Sequence, residues 1–443
     1  MRVIDKLTNT VKRLAYRTPL VPIIIEPKTG KFDTIVGVVR GYLSEGRFGQ
    51  LVSQITDMFP LLRTIPTFEY VATVLPREWV FDLADAAEVK RIYPNRLKYA
   101  LQYPTVPQDA IFQTEHGAFK ELVPFTSTYY TKRLIGADKA HQKGFFGSGV
   151  RVAVCDTGVD RRHPATSHMA LDSVMAQVRD ENGHGEWCCA CVGGKYAEDS
   201  VLSRKVGRKI PTEGVAPRAS VVGIKCLGYL IGTGSDDAVL KAIELAVHRY
   251  RVDIVSMSLG GPVEESKQEE DPYYKVIKEL TQYGVIFSVA AGNEGPNEKT
   301  ICTPGWLEDV LTVGAYDPIT GKLADFSSRG QTPDGRIKPD CVAPGVNIHA
   351  PCTGLLDRAG DNTALNNYSP LSGSSMATPH VSGLLALMRE AHSKTIGRVL
   401  TTDEVKKMLE ALGREKTNED GWGIITWDMY EEWMETQYGV RLR

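Results

Sequence analysis

The chain has 443 residues, of which 42% are hydrophobic and 24% are charged, and its formal net charge at neutral pH is −2. This length predicts two or three domains with a large apolar core, and the composition is typical of a soluble globular protein. A charge this close to zero gives no support to nucleic acid as a partner. No stretch reaches the roughly 18 uninterrupted apolar residues of a membrane span, so a membrane is not expected as a partner either.

The first residues contain no apolar segment of the length that a secretory signal needs, about 7–15 residues. The short apolar run at residues 21–25 ends at Glu26. A cytoplasmic location is therefore expected. The eight cysteines are then expected to be free thiols, because that compartment is reducing.

Residues 21–101 alternate between the periodicities of strands and helices. Short apolar runs predict four strands, and two longer stretches with helical apolar spacing lie between them. The strands are predicted at residues 21–25, 62–65, 68–74 and 89–93, and the helices at residues 33–43 and 77–86. This order predicts a small α+β (ferredoxin-like) sandwich, to which we assign residues 1–101. Residues 102–133 have little periodicity and contain Tyr103-Pro-Thr-Val-Pro, which predicts a linker.

From residue 150 onward, apolar strands alternate with helical stretches. The strands are predicted at residues 150–154, 220–225, 254–257, 285–290 and 310–313. This alternation is typical of an α/β fold with a parallel sheet and helices on both faces, and we assign residues 134–443 to it. Ligands on such sheets lie beyond the carboxyl ends of the strands, where Asp156, Ser258 and Asn293 are expected.

Three short segments provide the side chains that nucleophilic acyl transfer needs. They are Asp156-Thr-Gly, the Gly-His-Gly around His184, and Gly373-Ser-Ser-Met-Ala-Thr-Pro around Ser375. Ser375 would attack a carbonyl group, His184 would act as its base, and Asp156 would orient the imidazole. The N–H groups at the start of the helix after Gly373 would face a developing oxyanion. Taken alone, the serine segment is equally well explained as a turn that caps a helix.

These segments, in this chain order, resemble the signature blocks of the subtilisin-like serine proteases, the subtilases. The resemblance extends over roughly residues 134–430, and Ser256-Met-Ser-Leu-Gly-Gly and Gln268-Glu-Glu-Asp-Pro resemble the intracellular AprX-like branch. It implies a subtilisin-like fold and a serine endopeptidase that forms an acyl-enzyme on Ser375. No cofactor or metal ligand is implied for the chemistry, although the family is compatible with structural calcium. The alternative is a catalytically silent binding or scaffold protein on the same fold.

The resemblance also implies roles for residues around the active site. Asn293, in Ala290-Ala-Gly-Asn, matches the asparagine that donates to the oxyanion. The alternative is an asparagine placed there for a left-handed turn. The residues that match the two edges of a cleft whose backbone pairs with an extended substrate are Ser256, Leu259 and Gly260 on one side and Gly232 and Gly234 on the other.

Residues 1–101 resemble the inhibitory propeptide of the family by their position and their order of elements. An unrelated accessory domain is the alternative. A propeptide implies a zymogen that cuts itself within residues 102–133, with this linker lying in the cleft as an extended strand. The expected partners are protein or peptide substrates and the chain's own propeptide, which acts as an intramolecular inhibitor.

Glu186 stands where the family usually has threonine. Its carboxylate would either favour the charged form of His184 or cap the amino end of its own helix, and we favour the cap. Cys188 and Cys191 have the spacing of a metal or redox pair. A zinc site needs about four ligands and no second pair follows, so we expect Cys188, Cys189 and Cys191 to pack as small apolar residues.

Overall fold

The computed structural model describes residues 6–17, 20–44, 61–101, 126–228, 232–358 and 366–442. These residues form a small antiparallel α+β unit followed by a larger α/β domain, which confirms the predicted fold class. Most of the predicted linker, residues 102–125, lies outside the described residues. Residues 126–133 were assigned to the linker but form a short strand and most of a helix.

In the part of the N-terminal unit that the structure describes, there are one antiparallel sheet and three α-helices. Its elements are α1 (Asn9–Arg17), β1 (Leu20–Pro27), α2 (Phe32–Ser44), β2 (Leu62–Ile65), β3 (Tyr70–Pro76), α3 (Arg77–Asp85) and β4 (Val89–Pro94). The strand order is β2-β3-β1-β4, and every neighbouring pair is antiparallel. From β1 to β4 the helix and strand order is the one that the apolar spacing predicts, whereas α1 was not predicted. An additional strand, β5 (Leu97–Ala100), follows the unit and pairs with the larger domain.

Both faces of this small sheet are buried. Ile23 and Ile25 pack with the helices of the unit, and Ile24 packs into the core of the larger domain. Successive side chains of a strand point to opposite faces, so three consecutive isoleucines are buried only where both faces are covered. The apolar run of β1 therefore fixes the small sheet between its own helices and the larger domain.

The larger domain contains a parallel sheet with mostly apolar central strands and several short strands around it. Its strands are β6 (Thr126–Ser127), β7 (Arg151–Asp156), β8 (Ala170–Ser173), β9 (Ala197–Glu198), β10 (Pro211–Thr212), β11 (Ser220–Lys225), β12 (Thr233–Ser235), β13 (Ile254–Met257), β14 (Leu259–Gly260), β15 (Ile286–Ala290), β16 (Leu311–Tyr316), β17 (Cys341–Pro344), β18 (Ile348–Pro351) and β19 (Tyr368–Leu371). Its helices are α4 (Thr128–Leu134), α5 (Ala137–Gln142), α6 (His184–Gly193), α7 (Ser200–Val206), α8 (Asp236–Glu244), α9 (Pro272–Gln282), α10 (Ser374–Ile396), α11 (Thr402–Leu412) and α12 (Trp427–Tyr438).

Seven of these strands form one parallel sheet in the order β17-β16-β15-β13-β7-β11-β8. Helices α6 and α10 cover one face of this sheet, and α8 and α9 cover the other. Strands buried on both faces are continuous apolar runs, which is why the sequence pattern locates the central ones. The two edge strands, β8 and β17, were not predicted. No helix in the described ranges is both long and apolar enough to cross a bilayer.

The first 19 residues of helix α10 are all buried, between the sheet and neighbouring helices. Leu385 in this helix is fully buried, so Leu385→Ala should lower the free energy of unfolding by about 2–5 kcal/mol, through lost burial and a residual cavity. As the control, Tyr283→Ala removes a side chain that is 78% exposed and should change stability by less than about 0.5 kcal/mol. Urea denaturation of both variants in a Ser375→Ala background, which lacks the candidate nucleophile, measures the difference. Equal effects would contradict the packing of α10.

Candidate active site

Asp156 and His184 form a buried hydrogen-bonded pair beyond the carboxyl end of the parallel sheet. Asp156 is the last residue of β7, and His184 is the first residue of α6. The Nδ1 atom of His184 lies 2.8 Å from Oδ1 of Asp156, and both side chains are fully buried. The Nε2 atom of His184 has no hydrogen-bond partner in the described part of the chain. A carboxylate on Nδ1 holds the proton there, so that Nε2 is left as the basic nitrogen.

The glycines on either side of His184 are required by close backbone contacts. A Cβ atom on Gly183 would lie 2.0 Å from the carbonyl oxygen of Thr353, and the φ of Gly183 is +105°. A Cβ atom on Gly185 would lie 2.3 Å from the carbonyl oxygen of Gly158. Any larger residue at either position would push α6 away, and His184 with it. The Gly-His-Gly pattern is therefore a packing requirement for the position of the imidazole.

Ser375 is the second residue of α10 and is fully buried. Its hydroxyl donates to the carbonyl oxygen of Ser258 at 2.9 Å, and the Ser258 hydroxyl donates to the carbonyl oxygen of Ser375 at 2.9 Å. The sulfur of Cys188 lies 3.9 Å from Nδ1 of His184 and 3.6 Å from the carbonyl oxygen of Ser375, so both residues adjoin one thiol. Ser375 and His184 therefore contact the same thiol, while the Ser375 hydroxyl is bonded to Ser258.

The side-chain amide of Asn293 has a hydrogen-bonded oxygen and an unpaired nitrogen. Its Oδ1 atom accepts from the N–H of Ser374 at 2.8 Å and from the Ser374 hydroxyl at 2.9 Å. The N–H group needs an acceptor, so this bond identifies the oxygen of the amide. The Nδ2 atom is buried and has no hydrogen-bond partner among the described residues. An unpaired buried donor beside the start of α10 is what stabilisation of an oxyanion requires.

The predicted substrate cleft holds a strand of the chain itself. Strand β5 lies between β12 and β14 and is antiparallel to both, so that Lys98 pairs with Gly234 and Tyr99 pairs with Gly260. The Ala100 N–H group donates to the carbonyl oxygen of Gly232 at 2.8 Å. Leu259, Gly260, Gly232 and Gly234, predicted as the two edges of a backbone-binding cleft, therefore flank an extended segment on both sides.

Ser256 does not lie in this cleft. It is in the interior of β13, where its hydroxyl accepts from the Ser382 hydroxyl at 2.8 Å. The residue that meets the bound strand is Ser258, just beyond the end of β13, whose carbonyl oxygen accepts from the Leu101 N–H at 3.2 Å. The assignment of Ser256 to substrate binding is corrected accordingly. The position of Ser258 at a strand end was the signal that could have identified it.

The side chain of Leu101 occupies an apolar pocket. It is only 8% exposed and packs with Ala290 and Cys302. A Cβ atom on Gly260 would lie 3.0 Å from the Cδ1 atom of Leu101, so glycine leaves room for this side chain. Leu101 and Asn293 line the same cavity. The carboxyl end of the bound strand and the unpaired amide therefore face one cavity.

Comparison with known proteins gives the family. The model of the subtilase family matches residues 147–423, more than half of the chain. The chain belongs to the subtilase family. It is 35% identical over 350 residues to serine protease AprX of Bacillus subtilis, a match that covers 74% of this chain and 70% of that protein. It is 30% identical over 285 residues to the major intracellular serine protease of the same species, covering 62% of this chain and 78% of that protein.

A third relative is subtilisin E of Bacillus subtilis, which is 30% identical over 294 residues and aligns with 65% of this chain and 66% of its own length. The family recognised from the three signature segments is thereby confirmed. The matched residues 147–423 include all of the candidate catalytic groups and exclude the N-terminal unit.

Glu186 of this subtilase does not cap its own helix. Its carboxylate accepts from the Asp160 N–H at 2.6 Å and from the Thr166 hydroxyl at 2.6 Å. Asp180 makes the cap instead, accepting from the N–H groups of Gly183 at 2.9 Å and Glu186 at 2.7 Å. The predicted cap is wrong, because Asp180, six residues earlier in the chain, already holds these donors. Glu186 anchors the loop that follows β7.

All eight cysteines of this subtilase are buried free thiols, as predicted. Cys188, Cys189 and Cys191 lie in α6, within the core on one face of the parallel sheet. Burial raises the pKa of each of these three thiols well above its usual value, which keeps them protonated. Their packing against the sheet is the role that the sequence predicts for them.

Burial raises the pKa of Glu186 well above its ordinary value near 4.5, although its two hydrogen bonds act in the opposite direction. The folded chain then binds this proton more tightly than the unfolded chain does, so Glu186 contributes a loss of stability as pH rises above about 4.5. Glu186→Gln should therefore gain stability relative to the parent as pH is raised from about 5 to 8. Thermal unfolding in the Ser375→Ala background measures this gain, with the exposed Glu298→Gln as control. A difference that does not vary with pH would contradict it.

Proposed function

We propose that this subtilase is a serine endopeptidase that hydrolyses peptide bonds through an acyl-enzyme on Ser375. The proposal depends on one observation. Ser375, at a helix start, and Leu101, at the end of the strand in the cleft, bond to the same carbonyl oxygen, that of Ser258. Leu101 also lines one cavity with the unpaired amide of Asn293, and Asp156 and His184 form a buried pair. Each group has the chemical character that one step of acyl transfer needs. Retention of all four groups argues against the alternative, a silent scaffold on the same fold.

In this mechanism, Nε2 of His184 accepts the Ser375 proton as the oxygen attacks the substrate carbonyl. Asp156 stabilises the imidazolium that forms. The Nδ2 group of Asn293 and the N–H of Ser375, which lies in the first turn of α10, donate to the oxyanion. His184 then gives its proton to the leaving amine, and the same base activates the water that hydrolyses the acyl-enzyme.

The first step requires a rotation of the Ser375 side chain. Its hydroxyl now donates to Ser258 at 2.9 Å and must turn towards His184. This rotation replaces one hydrogen bond, of roughly 1 kcal/mol net strength, by another, so its free-energy cost is small. Catalytic hydrogen bonds are often formed only when a substrate is bound in a productive position. The proposed chemistry uses side chains, a backbone N–H group and water, and it calls for no cofactor.

Substitution of the two main groups tests this mechanism. Ser375→Ala should lower kcat by on the order of 10⁶, because no other group can form the acyl-enzyme. Asn293→Ala should lower kcat by about 10²–10³ with little change in KM, because its bond forms in the transition state. Ser382→Ala, on the same helix but bonded to Ser256, is the matched control and should change kcat only a few-fold. Hydrolysis of a leucyl p-nitroanilide peptide measures all three. If Ser375→Ala retained most of the activity, Ser375 would not be the nucleophile.

We further propose that residues 1–101 are a propeptide that keeps the enzyme in a zymogen form. Two observations support this. The carboxyl end of these residues fills the cleft, and the face of the small sheet that bears Ile24 is buried in the larger domain. The tether makes inhibition intramolecular, with an effective concentration in the millimolar range for a short linker. Release of the unit would then follow cleavage and dilution.

The proposed cleavage lies between Leu101 and Gln102. From the sequence alone, both the strand that lies in the cleft and the cut are expected within residues 102–133. The segment that pairs with both edges of the cleft is instead residues 97–101. The proposed cut is therefore the bond just before that linker, one bond outside the range expected from the sequence alone. The Leu101 N–H donates to the carbonyl oxygen of Ser258, and the Leu101 side chain fills the apolar pocket. Leu101 would then provide the carbonyl that Ser375 attacks.

The full-length chain should yield a fragment that ends at Leu101 and a product that begins at Gln102, while Ser375→Ala should remain intact. Intact-mass spectrometry and N-terminal sequencing identify the bond. Leu101→Glu should slow the cut at this bond, since it introduces a charge into an apolar pocket. Full-length wild type that is uncut yet fully active would identify residues 1–101 as an accessory domain. Cleavage of Ser375→Ala at the same bond would show that another protease makes the cut.

We propose that the enzyme is located in the cytoplasm. Eight free cysteines suit a reducing compartment, and one relative is named an intracellular serine protease. Proteins and peptides are the proposed substrates.

A further inference from the structure

The side chain of Lys98 is completely buried in the cleft. Its Nζ atom lies 2.6 Å from Oδ1 of Asp236, whose side chain is also fully buried. The same Nζ lies 5.6 Å from the centre of the Tyr273 ring. Apart from each other, neither the Lys98 Nζ nor the Asp236 Oδ1 has a hydrogen-bond partner in the described part of the chain. A buried ammonium group is tolerated only when it is paired, so this pocket is built for a cation.

The pocket belongs to the larger domain. Asp236 is the first residue of α8, and Tyr273 lies in the first turn of α9. Gly261 forms a third wall, where a Cβ atom would lie 3.4 Å from the Cδ atom of Lys98. Departure of residues 1–101 would thus leave an acidic pocket lined by an aromatic ring and by backbone. We call Asp236, Tyr273 and Gly261 the acidic pocket.

The register of β5 fixes the substrate position that this pocket serves. Leu101 is the residue before the proposed scissile bond, so Lys98 is the fourth residue before it. Tyr99 is 41% exposed, whereas Lys98 and Leu101 are both buried. A substrate with the same backbone pairs would place its own fourth residue against Asp236. The two buried side chains are then the ones that the cleft can select.

We propose that the acidic pocket makes the enzyme select peptides with a basic residue, lysine first, at the fourth position before the scissile bond. The inference rests on the proposed endopeptidase function. It adds a substrate class that combines an apolar residue at the cut with a cation three residues earlier.

The electrostatics of Asp236 support this selection. Burial by itself would raise its pKa, but the charges of Lys98 and Arg96 outweigh burial and hold the pKa of Asp236 below its usual value. Arg96 donates its backbone N–H to the second oxygen of Asp236 at 2.9 Å and makes an ion pair with Glu265 at 2.7 Å. Both basic residues belong to the departing unit. The Asp236 carboxylate therefore loses two cations on release, and a basic substrate residue replaces one of them.

The expected selectivity follows from the strength of such a contact. A hydrogen bond to a charged group is worth about 1.5–3 kcal/mol, which corresponds to roughly 10- to 100-fold in kcat/KM. A glutamate at this position would bring two negative charges together and should be the poorest substrate. Arginine should also be accepted, because Asp236 and the Tyr273 ring both attract a guanidinium.

The test uses internally quenched peptides of the form X-Tyr-Ala-Leu, cut after leucine, with Lys, Arg, Met or Glu at X. The full chain is allowed to process itself, and kcat/KM is measured for each peptide. Lysine should exceed methionine by at least tenfold. Asp236→Asn should bring this ratio close to one, and Asp236→Lys should make glutamate better than lysine. The matched control is Asp237→Asn, which should keep the ratio. Its carboxylate lies 2.8 Å from the Asn95 amide and 3.0 Å from Arg63, outside the reach of these peptides.

The outcomes separate this inference from the function on which it rests. Equal cleavage of the lysine and methionine peptides would overturn the acidic pocket while leaving the endopeptidase proposal intact. A lysine preference that persists in Asp236→Asn and in Asp236→Lys would overturn the role of Asp236. If no peptide were hydrolysed by the processed chain, the endopeptidase proposal itself would fail, and the selectivity with it.

Discussion

The carbonyl oxygen of Ser258 is the acceptor that the chain's own strand and the candidate nucleophile share. It accepts the Leu101 N–H at 3.2 Å and the Ser375 hydroxyl at 2.9 Å. A carbonyl oxygen has two lone pairs, so both bonds form together and satisfy it. The result is a site in which the chain's own strand, the candidate nucleophile and the unpaired amide of Asn293 lie around one cleft. The parallel sheet makes this possible, because the strands before Asp156 and Ser258 end side by side.

The contact between the two units combines apolar packing with buried ion pairs. Ile24 and its neighbours bury one face of the small sheet, while Arg63, Arg96 and Lys98 pair with Asp236, Asp237 and Glu265. Buried ion pairs add little net stability, because both partners lose their hydration. On separation, Asp236 and Asp237 return to water at the amino end of α8, where the helix dipole favours negative charge. The charged part of this contact therefore gives register and selectivity more than affinity.

Much of the fold was predictable from the sequence, for a physical reason. Strands buried on both faces, such as β1 and β7, are unbroken apolar runs, and the glycines beside His184 are fixed by backbone contacts. The strand in the cleft was missed because Leu97–Ala100 is short and its only charged residue is buried. A lysine in a strand predicts an exposed position unless the partner, here Asp236, is known.

The errors at the site have the same origin. Ser256 and Ser258 are both serines near one strand end, and only the three-dimensional path shows that the first faces Ser382 inside the domain. Glu186 was expected to cap its helix, but Asp180 takes those donors and Glu186 holds a different loop. Both errors concern which of two chemically suitable partners is used. Sequence spacing identifies the candidates, and tertiary packing selects among them.

Covalent labelling of the processed chain with a fluorophosphonate tests the central claim most directly, because such a probe reacts with a serine only when its hydroxyl is activated. Peptide mass spectrometry then locates the adduct. We predict one adduct, on the Ser375 oxygen. We predict its loss in His184→Ala, which lacks the base but keeps the serine, when residues 1–101 of that variant have been removed by an added protease. Absence of label on Ser375 in the processed chain, or labelling that His184→Ala does not reduce, would contradict the central claim.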